Sequence, residues 1–289
     1  MNESGYKPNI NWFPGHMAKA RREITECLKQ VDLVIEILDA RIPFSSSNPM
    51  MEEILKEKPT LIILNKAMLA DKAETKKWIS HFEETGAYAL DIDLIADYNV
   101  KKVNVKIKEI MAEKQQRRKE KGIISEKVRA LVVGIPNVGK STFINKMAKR
   151  KVAKIGDKPG VTKSQTWIKV DESLELLDTP GILWPKFDNL TVAKNLALVG
   201  SIKDEILPLD EVASYGLIYM QKHYLNLLNQ RFQITVSEDT ELLDIYEQIA
   251  KKRGCILRGG EIDYDRVINL VLYEIRHDKI GAMTFDGRD

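Results

Sequence analysis

Cysteine is scarce in this chain, and long apolar runs are missing from it. Its two cysteines, Cys27 and Cys255, lie far apart and form no metal-ligand spacing, which excludes a cysteine-rich metal site. No apolar run approaches the length of about 20 residues that spans a bilayer. The opening residues, M-N-E-S-G-Y-K-P, lack the basic-then-apolar pattern of a secretory signal. We therefore expect a soluble protein of the reducing cytoplasm.

Length and residue pattern together predict two domains of different architecture. A chain of 289 residues is long enough for two hydrophobic cores. Up to about residue 178, apolar β-branched runs alternate with helical patterns, which is typical of a doubly wound, mainly parallel α/β sheet. From about residue 191 only helical patterns follow. We expect an α/β domain with an N-terminal arm over residues 1–190 and a helical domain over residues 191–289.

Two local patterns predict one long helix and one loop. Leu209 to Leu228 has the pattern of one long helix. Pro43, the serines after it and Pro49 predict a loop.

The segment from Gly134 to Ser141 has the sequence G-I-P-N-V-G-K-S, a complete phosphate-binding loop. It follows the predicted strand Val128–Val133 and precedes a predicted helix, as this motif requires. Its glycines allow backbone N–H groups to close around the β- and γ-phosphates, and the helix N-terminus adds its dipole. We expect Lys140 to bind the phosphates and Ser141 to ligate Mg²⁺.

Two further motifs complete a nucleotide site, but they occur in an unusual order. D-T-P-G at Asp178 to Gly181 begins 38 residues after Lys140 and suits an aspartate that holds Mg²⁺ and a glycine amide at the γ-phosphate. L-I-I-L-N-K at Leu61 to Lys66 is the segment that normally binds the guanine base. In an ordinary GTPase it follows the other two motifs. The order indicates a GTPase sheet whose chain has been opened and rejoined elsewhere.

Longer motifs resemble those of the circularly permuted GTPases that assist ribosome assembly, and within them the bacterial ribosome biogenesis GTPase A type. The resemblance covers nearly the whole chain. It rests on N-W-F-P-G-H-M-A-K-A at Asn11–Ala20, D-A-R-I-P at Asp39–Pro43, the phosphate loop, P-G-V-T ending at Thr162, L-L-D-T-P-G-I-L-W-P-K-F at Leu176–Phe187 and K-R-G-C at Lys252–Cys255. It implies a slow GTPase, stimulated by the large ribosomal subunit late in that subunit's maturation, with a helical domain that binds RNA.

The motifs and the resemblance also assign roles to individual residues. The expected nucleotide-binding residues are Asn65, Lys66, Asn137, Val138, Gly139, Lys140, Ser141, Thr142, Thr162 and Gly181. The expected Mg²⁺ ligands are Ser141, the switch residue Thr162 and Asp178. Asn137 corresponds to the asparagine that potassium-stimulated relatives use to hold K⁺, although an asparagine that only stabilises the loop fits the sequence equally well.

His16, in the motif P-G-H-M, is the residue that the resemblance assigns to catalysis. Many GTPases orient the attacking water with a glutamine directly after the D-x-x-G motif, but that position is Ile182 here. An imidazole can accept a proton or a hydrogen bond near neutral pH. Without the resemblance, a helix cap near Met17 or packing under Phe13 explains His16 better than catalysis does.

The base-binding segment departs from the family pattern N-K-x-D. Met68 occupies the aspartate position, and a thioether cannot accept two charge-assisted hydrogen bonds from guanine, a loss that could cost about 3 kcal/mol. Asp71 lies three residues later and would need a loop shift to replace it. Asp91-Ile92-Asp93 stands where relatives usually carry small polar residues. Triphosphate binding is expected, whereas guanine selectivity is left open, although we favour GTP.

The charge distribution favours a polyanionic partner. Lys101 to Lys121 carries nine basic and three acidic residues, and Lys146 to Lys169 carries eight basic residues against Asp157 alone. Such segments attract phosphate backbones, although a solvated lysine-rich helix explains the first one equally well. We expect a monomer that binds rRNA and ribosomal proteins and does not contact a membrane.

Two rival functions are compatible with parts of the sequence. The first is an RNA-binding assembly factor with degraded base selectivity and little productive hydrolysis, which Met68 and Asp91 motivate. The second is an ATP-using P-loop enzyme, which the GTPase-type segment D-T-P-G-I-L-W-P-K-F disfavours.

Overall fold

A six-stranded sheet forms the centre of the first two thirds of the chain. The computed structural model describes residue 22 and residues 24–48, 58–122, 127–153, 166–179, 189–206 and 208–288. The strands are β1 (Leu33–Asp39), β2 (Thr60–Asn65), β3 (Tyr88–Asp91), β4 (Val128–Val133), β5 (Thr166–Lys169) and β6 (Leu174–Asp178). They lie in the order β3-β2-β1-β4-β6-β5, and every neighbouring pair is parallel except β5 and β6. The prediction of a mainly parallel sheet is confirmed.

Helices precede, connect and follow these strands. Residues 24–28 are helical. The longer helical elements are α1 (Pro43–Ser46), α2 (Lys72–Glu84), α3 (Val100–Glu120), α4 (Lys140–Ala148), α5 (Leu190–Leu198), α6 (Leu209–His223), α7 (Leu225–Phe232), α8 (Leu242–Arg253) and α9 (Tyr264–Arg276). From α5 onward no strand occurs in the described residues, which confirms the predicted helical C-terminal region. Within the described ranges, no helix combines the length and the apolarity needed to cross a bilayer.

Both faces of the sheet are covered, as a doubly wound fold requires. Every residue of β1 is buried, which explains why this strand is apolar on both of its faces. Ile35 belongs to the core formed with α3 and α4 on one face. On the other face Val34 packs with the helical residues 24–28, and Leu38 packs with Trp78 of α2. The central strand therefore holds the two layers of helices together.

Two local predictions are wrong, and each has a physical reason. The helix predicted from Leu209 to Leu228 is interrupted at Tyr224, whose φ is −138°. The Tyr224 hydroxyl donates to the Thr284 carbonyl at 3.3 Å and accepts from the Thr284 N–H at 3.0 Å, so a distant segment holds this residue outside the helix. The loop predicted at Pro43 contains the short helix α1 instead, because the fixed φ of proline suits the first turn of a helix.

The segment from Met283 to Arg288 connects the helical region to the loops that follow β2. The Met283 N–H donates to the Leu69 carbonyl at 3.0 Å. The Thr284 hydroxyl accepts from the Asp71 N–H at 3.1 Å. The Trp78 indole donates to the Asp286 carbonyl at 2.8 Å. This segment, which we call the 283–288 segment, thus holds the start of α2 against the helices.

The carboxylate of Asp286 connects the 283–288 segment to Ser45 and Asn195 through three hydrogen bonds. One oxygen accepts from the Ser45 N–H at 2.6 Å. The other accepts from the Ser45 hydroxyl at 2.7 Å and the Asn195 amide at 2.6 Å. Ser45 and Asn195 are fully buried, so neither has water as an alternative partner. Desolvation raises the pKa of Asp286 to about 6, although these hydrogen bonds oppose the shift.

Replacing Asp286 should destabilise the fold. Asp286→Ala removes the acceptor of the Ser45 N–H and hydroxyl and one acceptor of the Asn195 amide, which also donates to the Ser45 hydroxyl at 3.0 Å. We expect the free energy of unfolding to fall by about 2–4 kcal/mol. Urea unfolding followed by circular dichroism measures this change. The matched control Asp239→Ala changes an exposed carboxylate and should alter stability by at most about 0.5 kcal/mol. Equal effects from the two variants would contradict this role.

The pKa of Asp286 also predicts a pH dependence. Because the folded-state pKa lies above the ordinary aspartate pKa of 3.8, the folded protein holds this proton more tightly than the unfolded chain does. The stability that Asp286 contributes should be complete below about pH 4 and decrease as the pH rises to about 6. The stability difference between the native chain and Asp286→Ala should therefore be about 1 kcal/mol larger at pH 5 than at pH 7.5. A difference that grows with pH would contradict the prediction.

Candidate functional site

The carboxyl ends of β1, β2 and β4 lie side by side at one edge of the sheet. β1 stands between the other two strands and runs parallel to both. The strand order reverses between β1 and β4, since successive strands extend outward from this pair in opposite directions. Ligands bind at such a switch point in open α/β sheets. The early L-I-I-L-N-K segment and the later phosphate loop therefore open onto the same crevice.

The phosphate loop follows β4 and needs glycine at both of its ends. Gly134 has a φ of +148°, and a Cβ there would lie 2.5 Å from the carbonyl oxygen of Ile37. Gly139 has a φ of +102° and precedes the first residue of α4. The Lys140 ammonium donates to the Gly134 carbonyl at 2.9 Å and to the Ile135 carbonyl at 3.0 Å. The loop thus curls around the lysine that is expected to meet the phosphates.

The protonation of Lys140 depends on its burial. Desolvation lowers the pKa of this lysine to about 8, while the Asp178 carboxylate acts in the opposite direction. An anion at the loop favours the protonated form, so polyphosphate binding and lysine protonation would reinforce each other. The geometry suits a group that stabilises phosphate charge in a site with little water.

Asn65 joins the base-binding segment to the phosphate loop. Its side-chain amide donates to the Val138 carbonyl at 2.7 Å, across 73 residues of sequence. Its carbonyl oxygen accepts from the Leu94 N–H at 3.3 Å. A Cβ on Gly139 would lie 2.5 Å from the Asn65 amide nitrogen, so the loop has no room for a larger residue. The two motifs that are separated in the sequence therefore form one continuous surface.

Lys66 is held by a buried charge cluster at the end of β1. Its ammonium lies 2.8 Å from a carboxylate oxygen of Asp39, which Arg41 also binds through two guanidinium nitrogens at 3.0 and 2.8 Å. Burial alone would raise the pKa of Asp39, but Arg41 and Lys66 hold it far below its usual range. Burial lowers the pKa of Lys66, with Asp39 and, more weakly, Asp93 opposing. The cluster fixes the lysine beside the crevice.

The residues proposed for a metal site fit a hard cation such as Mg²⁺. Oδ1 of Asp178 is buried and has no hydrogen-bond donor among the described residues, which is the environment of a carboxylate that faces an ion or its water. Burial raises the pKa of Asp178, while Lys140 opposes the rise. Ser141 stands in the first turn of α4. No cluster of three or more His, Cys, Asp or Glu side chains occurs in the described ranges, so such an ion would also depend on phosphate oxygens and water.

The predicted site residues fall into two groups. Asn65, Lys66, Asn137 to Thr142 and Asp178 lie within the described structure. His16, Thr162 and Gly181 lie outside the described residues. The Asn137 amide donates to the Gly200 carbonyl at 3.1 Å, which connects the phosphate loop to the residues that follow α5.

Sequence reasoning missed the pairing of Lys66 with Asp39. The available signal was the motif D-A-R directly after a strand that is adjacent to β2 in the sheet. Arg41 of the same motif pairs with the Asp39 carboxylate at 2.8 Å.

Comparison with known proteins assigns this site to a family. Residues 129–253 match the family model of the 50S ribosome-binding GTPases. Ribosome biogenesis GTPase A of Bacillus cereus is 52% identical over 278 residues, covering 96% of this chain and 93% of that protein. The Thermotoga maritima protein of the same name is 31% identical over 280 residues, covering 96% and 94%. The chain belongs to the ribosome biogenesis GTPase A family.

Solved structures in this family agree with the fold. A GDP-bound YlqF structure matches with a TM-score of 0.64 and 26% identity, over 92% of this chain and 99% of that one. YlqF from Thermotoga maritima bound to GNP matches with a TM-score of 0.63 and 28% identity, over 93% and 98%. The unusual motif order is thus the circular permutation of this family, and the chain is a GTPase of ribosome biogenesis.

The bond between Asn65 and the phosphate loop should support nucleotide binding. Asn65→Ala removes the donor to Val138 and the acceptor for Leu94, so we expect GDP affinity to fall about tenfold to a hundredfold. Titration with a fluorescent GDP analogue measures this loss. Asn269→Ala is the matched control, since Asn269 is exposed and, within the described residues, its amide bonds to the Asp265 carbonyl of its own helix alone. Unchanged affinity in Asn65→Ala would show that the two motifs do not act together.

Proposed function

We propose that this GTPase binds the immature large ribosomal subunit late in its maturation, hydrolyses GTP to GDP and phosphate there, and then leaves. The supporting observation is the junction of Asn65 with the phosphate loop, which makes one nucleotide site from motifs in permuted order. The family model is named for binding to the 50S subunit, and the relatives are named for ribosome biogenesis. This work occurs in the cytoplasm, and the protein acts as a monomer.

The described residues bind the nucleotide at two ends of the crevice, the phosphates at one end and the base at the other. At the phosphate end, Lys140 and the amides of the loop hold the phosphates, and Ser141 and Asp178 hold Mg²⁺ with its waters. When bound, Mg²⁺ neutralises developing charge on the phosphoryl group. At the base end, Asn65 braces the loop and the stem of Lys66 lies against the base.

Three residues outside the described ranges complete the proposed site. Thr162 binds Mg²⁺, the Gly181 amide contacts the γ-phosphate, and both belong to loops that respond to nucleotide state. His16 orients or deprotonates the attacking water, because Ile182 cannot do so. Docking on the ribosomal subunit brings His16 into place, so the free protein should hydrolyse GTP slowly. K⁺ beside Asn137 adds positive charge at the phosphates.

The helical region, residues 191–289, is the proposed contact with rRNA. A cleft of about 680 Å³ along α9 has Arg253, Arg266 and Arg276 in its wall, together with Asp204, which pairs with Arg276 at 2.6 Å. The exposed Tyr273 ring stacks on His277 at its edge, with centroids 4.1 Å apart, and offers an aromatic surface to a base. Arginine and aromatic groups together suit the phosphates and unstacked bases of RNA.

Lys251, Lys252, Arg253 and Arg258 are the basic residues at and after the end of α8, and they differ in how freely they can contact RNA. Lys251 pairs with Glu247 at 3.0 Å, and Arg253 donates to the Arg231 carbonyl at 2.7 Å. Lys252 and Arg258 are also basic, and both are exposed. Ribosomal proteins next to such an rRNA site would be further contacts.

A second candidate function follows from Met68, whose side chain lacks the acceptor that guanine requires. In that case the protein is an RNA-binding assembly factor with weak base selectivity and little productive hydrolysis. The two functions differ in one measurable respect. The second predicts binding to large subunits without stimulated phosphate release.

Phosphate release should increase at least tenfold when large ribosomal subunits are added to the protein with GTP, Mg²⁺ and K⁺. His16→Ala should keep its GTP affinity but lose at least tenfold of this stimulated rate, because a positioned acid–base group typically contributes a factor of about 100 or more. His81→Ala, on helix α2, is the matched control and should behave like the native protein.

Three outcomes separate the hypotheses. Stimulated turnover that His16→Ala leaves unchanged would exclude the catalytic role of His16. Subunit binding without stimulation of the native protein would favour the second function. Failure to bind large subunits at all would exclude both.

A further inference from the structure

The base end of the crevice lacks a carboxylate at the position where the family pattern has one. Met68 lies in a short 3₁₀ turn, Ala67–Leu69, and its side chain is 54% exposed. Guanine presents an N1–H and a 2-amino group on this edge, and both are donors that require an acceptor. If the proposed GTP function holds, another group must accept these hydrogen bonds or selectivity is lost.

The nearest alternatives in the sequence are already engaged. Asp71 caps helix α2, where its Oδ1 accepts from the Ala73 N–H at 2.7 Å and the Glu74 N–H at 3.2 Å. Moving this carboxylate into the crevice would remove a helix cap worth about 1 kcal/mol. Asp39 binds Arg41 and Lys66 with its two oxygens.

Asp91 is no better placed, because it supports the loop behind the crevice. Its Oδ1 accepts from the Asn99 amide at 3.3 Å, and its backbone carbonyl accepts from the same amide at 3.1 Å. Tyr98 also bonds to its side chain, which contributes to raising the pKa of that tyrosine.

Asp93 is held directly beside the base-binding segment by bonds on both sides of it. The preceding residue, Ile92, accepts from the Ala67 N–H at 3.0 Å. The following residue, Leu94, donates to the Asn65 side-chain oxygen at 3.3 Å. The backbone of Asp93 is itself fixed by two hydrogen bonds with Tyr98, each 3.0 Å long. These contacts place the backbone at residue 93 next to the turn that carries Met68.

The two oxygens of Asp93 have different environments. Oδ1 accepts from the Ile95 N–H at 2.9 Å and from the Ala96 N–H at 2.8 Å, which closes a turn. In the described ranges no residue donates to Oδ2. The residue is only 5% exposed, but Oδ2 is not a fully buried atom, so this oxygen remains accessible to a ligand. An accessible carboxylate oxygen without a protein donor can accept a hydrogen bond from a ligand.

We propose that Oδ2 of Asp93 accepts the hydrogen bonds of the guanine N1–H and 2-amino group, and thereby replaces the carboxylate that position 68 lacks. The selectivity of the site for guanine then depends on the strand-end loop after β3 and not on the turn after β2. The competing explanation is that Asp93 only closes its turn through Oδ1.

The substitution Asp93→Asn separates these two explanations. Asparagine keeps Oδ1 and therefore the turn, but it replaces Oδ2 with an NH₂ group that cannot accept. We expect GDP affinity to fall about tenfold or more and affinity for xanthosine diphosphate to rise, since xanthine has a carbonyl where guanine has the amine. A residue that only closes the turn predicts no change in the ratio of the two affinities.

Two further variants control this experiment. Asp97→Asn makes the same chemical change in the same loop, on an exposed carboxylate that pairs with Lys146 at 2.9 Å, and should leave the ratio unchanged. Met68→Asp in the Asp93→Asn background should recover guanine preference by restoring a carboxylate at the family position. Thermal unfolding of each variant establishes that it is folded before titration.

A measurement on the native chain needs no variant. Inosine diphosphate lacks only the 2-amino group, so the native protein should bind it about tenfold more weakly than GDP. Equal binding of the two nucleotides, or an unchanged GDP-to-xanthosine ratio in Asp93→Asn, would overturn the proposal. If the native chain binds no guanine nucleotide, the proposed GTP function fails first, and the two failures are distinguishable.

Discussion

One hydrogen bond, from the Asn65 amide to the Val138 carbonyl, connects the two halves of the candidate nucleotide site. If β2 and β4 lay far apart in the sheet, the base-binding and phosphate-binding motifs that follow them could not form one nucleotide site. Both strands flank β1 and run parallel to it, so their carboxyl ends open on the same side. The Asn65 side chain, at the end of β2, then reaches the loop that follows β4. Gly139 is required there because a Cβ would collide with the same amide.

The phosphate end of this site matches the family pattern, whereas the base end departs from it. The phosphate end has its lysine, its serine, a buried unpaired carboxylate oxygen on Asp178, and glycines where the backbone demands them. The base end has Met68 in place of an aspartate and a second aspartate, Asp93, in the adjoining loop. Phosphate affinity is the larger part of nucleotide binding in such a loop, whereas base contacts determine selectivity. The chain can therefore change its base contacts without losing the phosphate site.

Much of the fold could be predicted from local patterns. The strand Thr60–Asn65 carries the continuous apolar run L-I-I-L, because a parallel strand is buried on both faces, and this signal is visible in the sequence. The phosphate loop is specified by residues next to one another in sequence. The break at Tyr224 could not be predicted, because its cause is a hydrogen bond to Thr284, 60 residues away. The pairing of Lys66 with Asp39 was hidden for the same reason: several partners were chemically acceptable, and only the three-dimensional arrangement selects one.

The most direct test of this account is the crystal structure of the protein with GDP and Mg²⁺. The account predicts the diphosphate within the loop from Gly134 to Ser141, the metal near Ser141 and Asp178, and the guanine ring against Lys66 with its amine edge toward Asp93. A nucleotide bound with its base directed away from Lys66, or held in the helical region, would contradict the claim that the permuted motifs form one site.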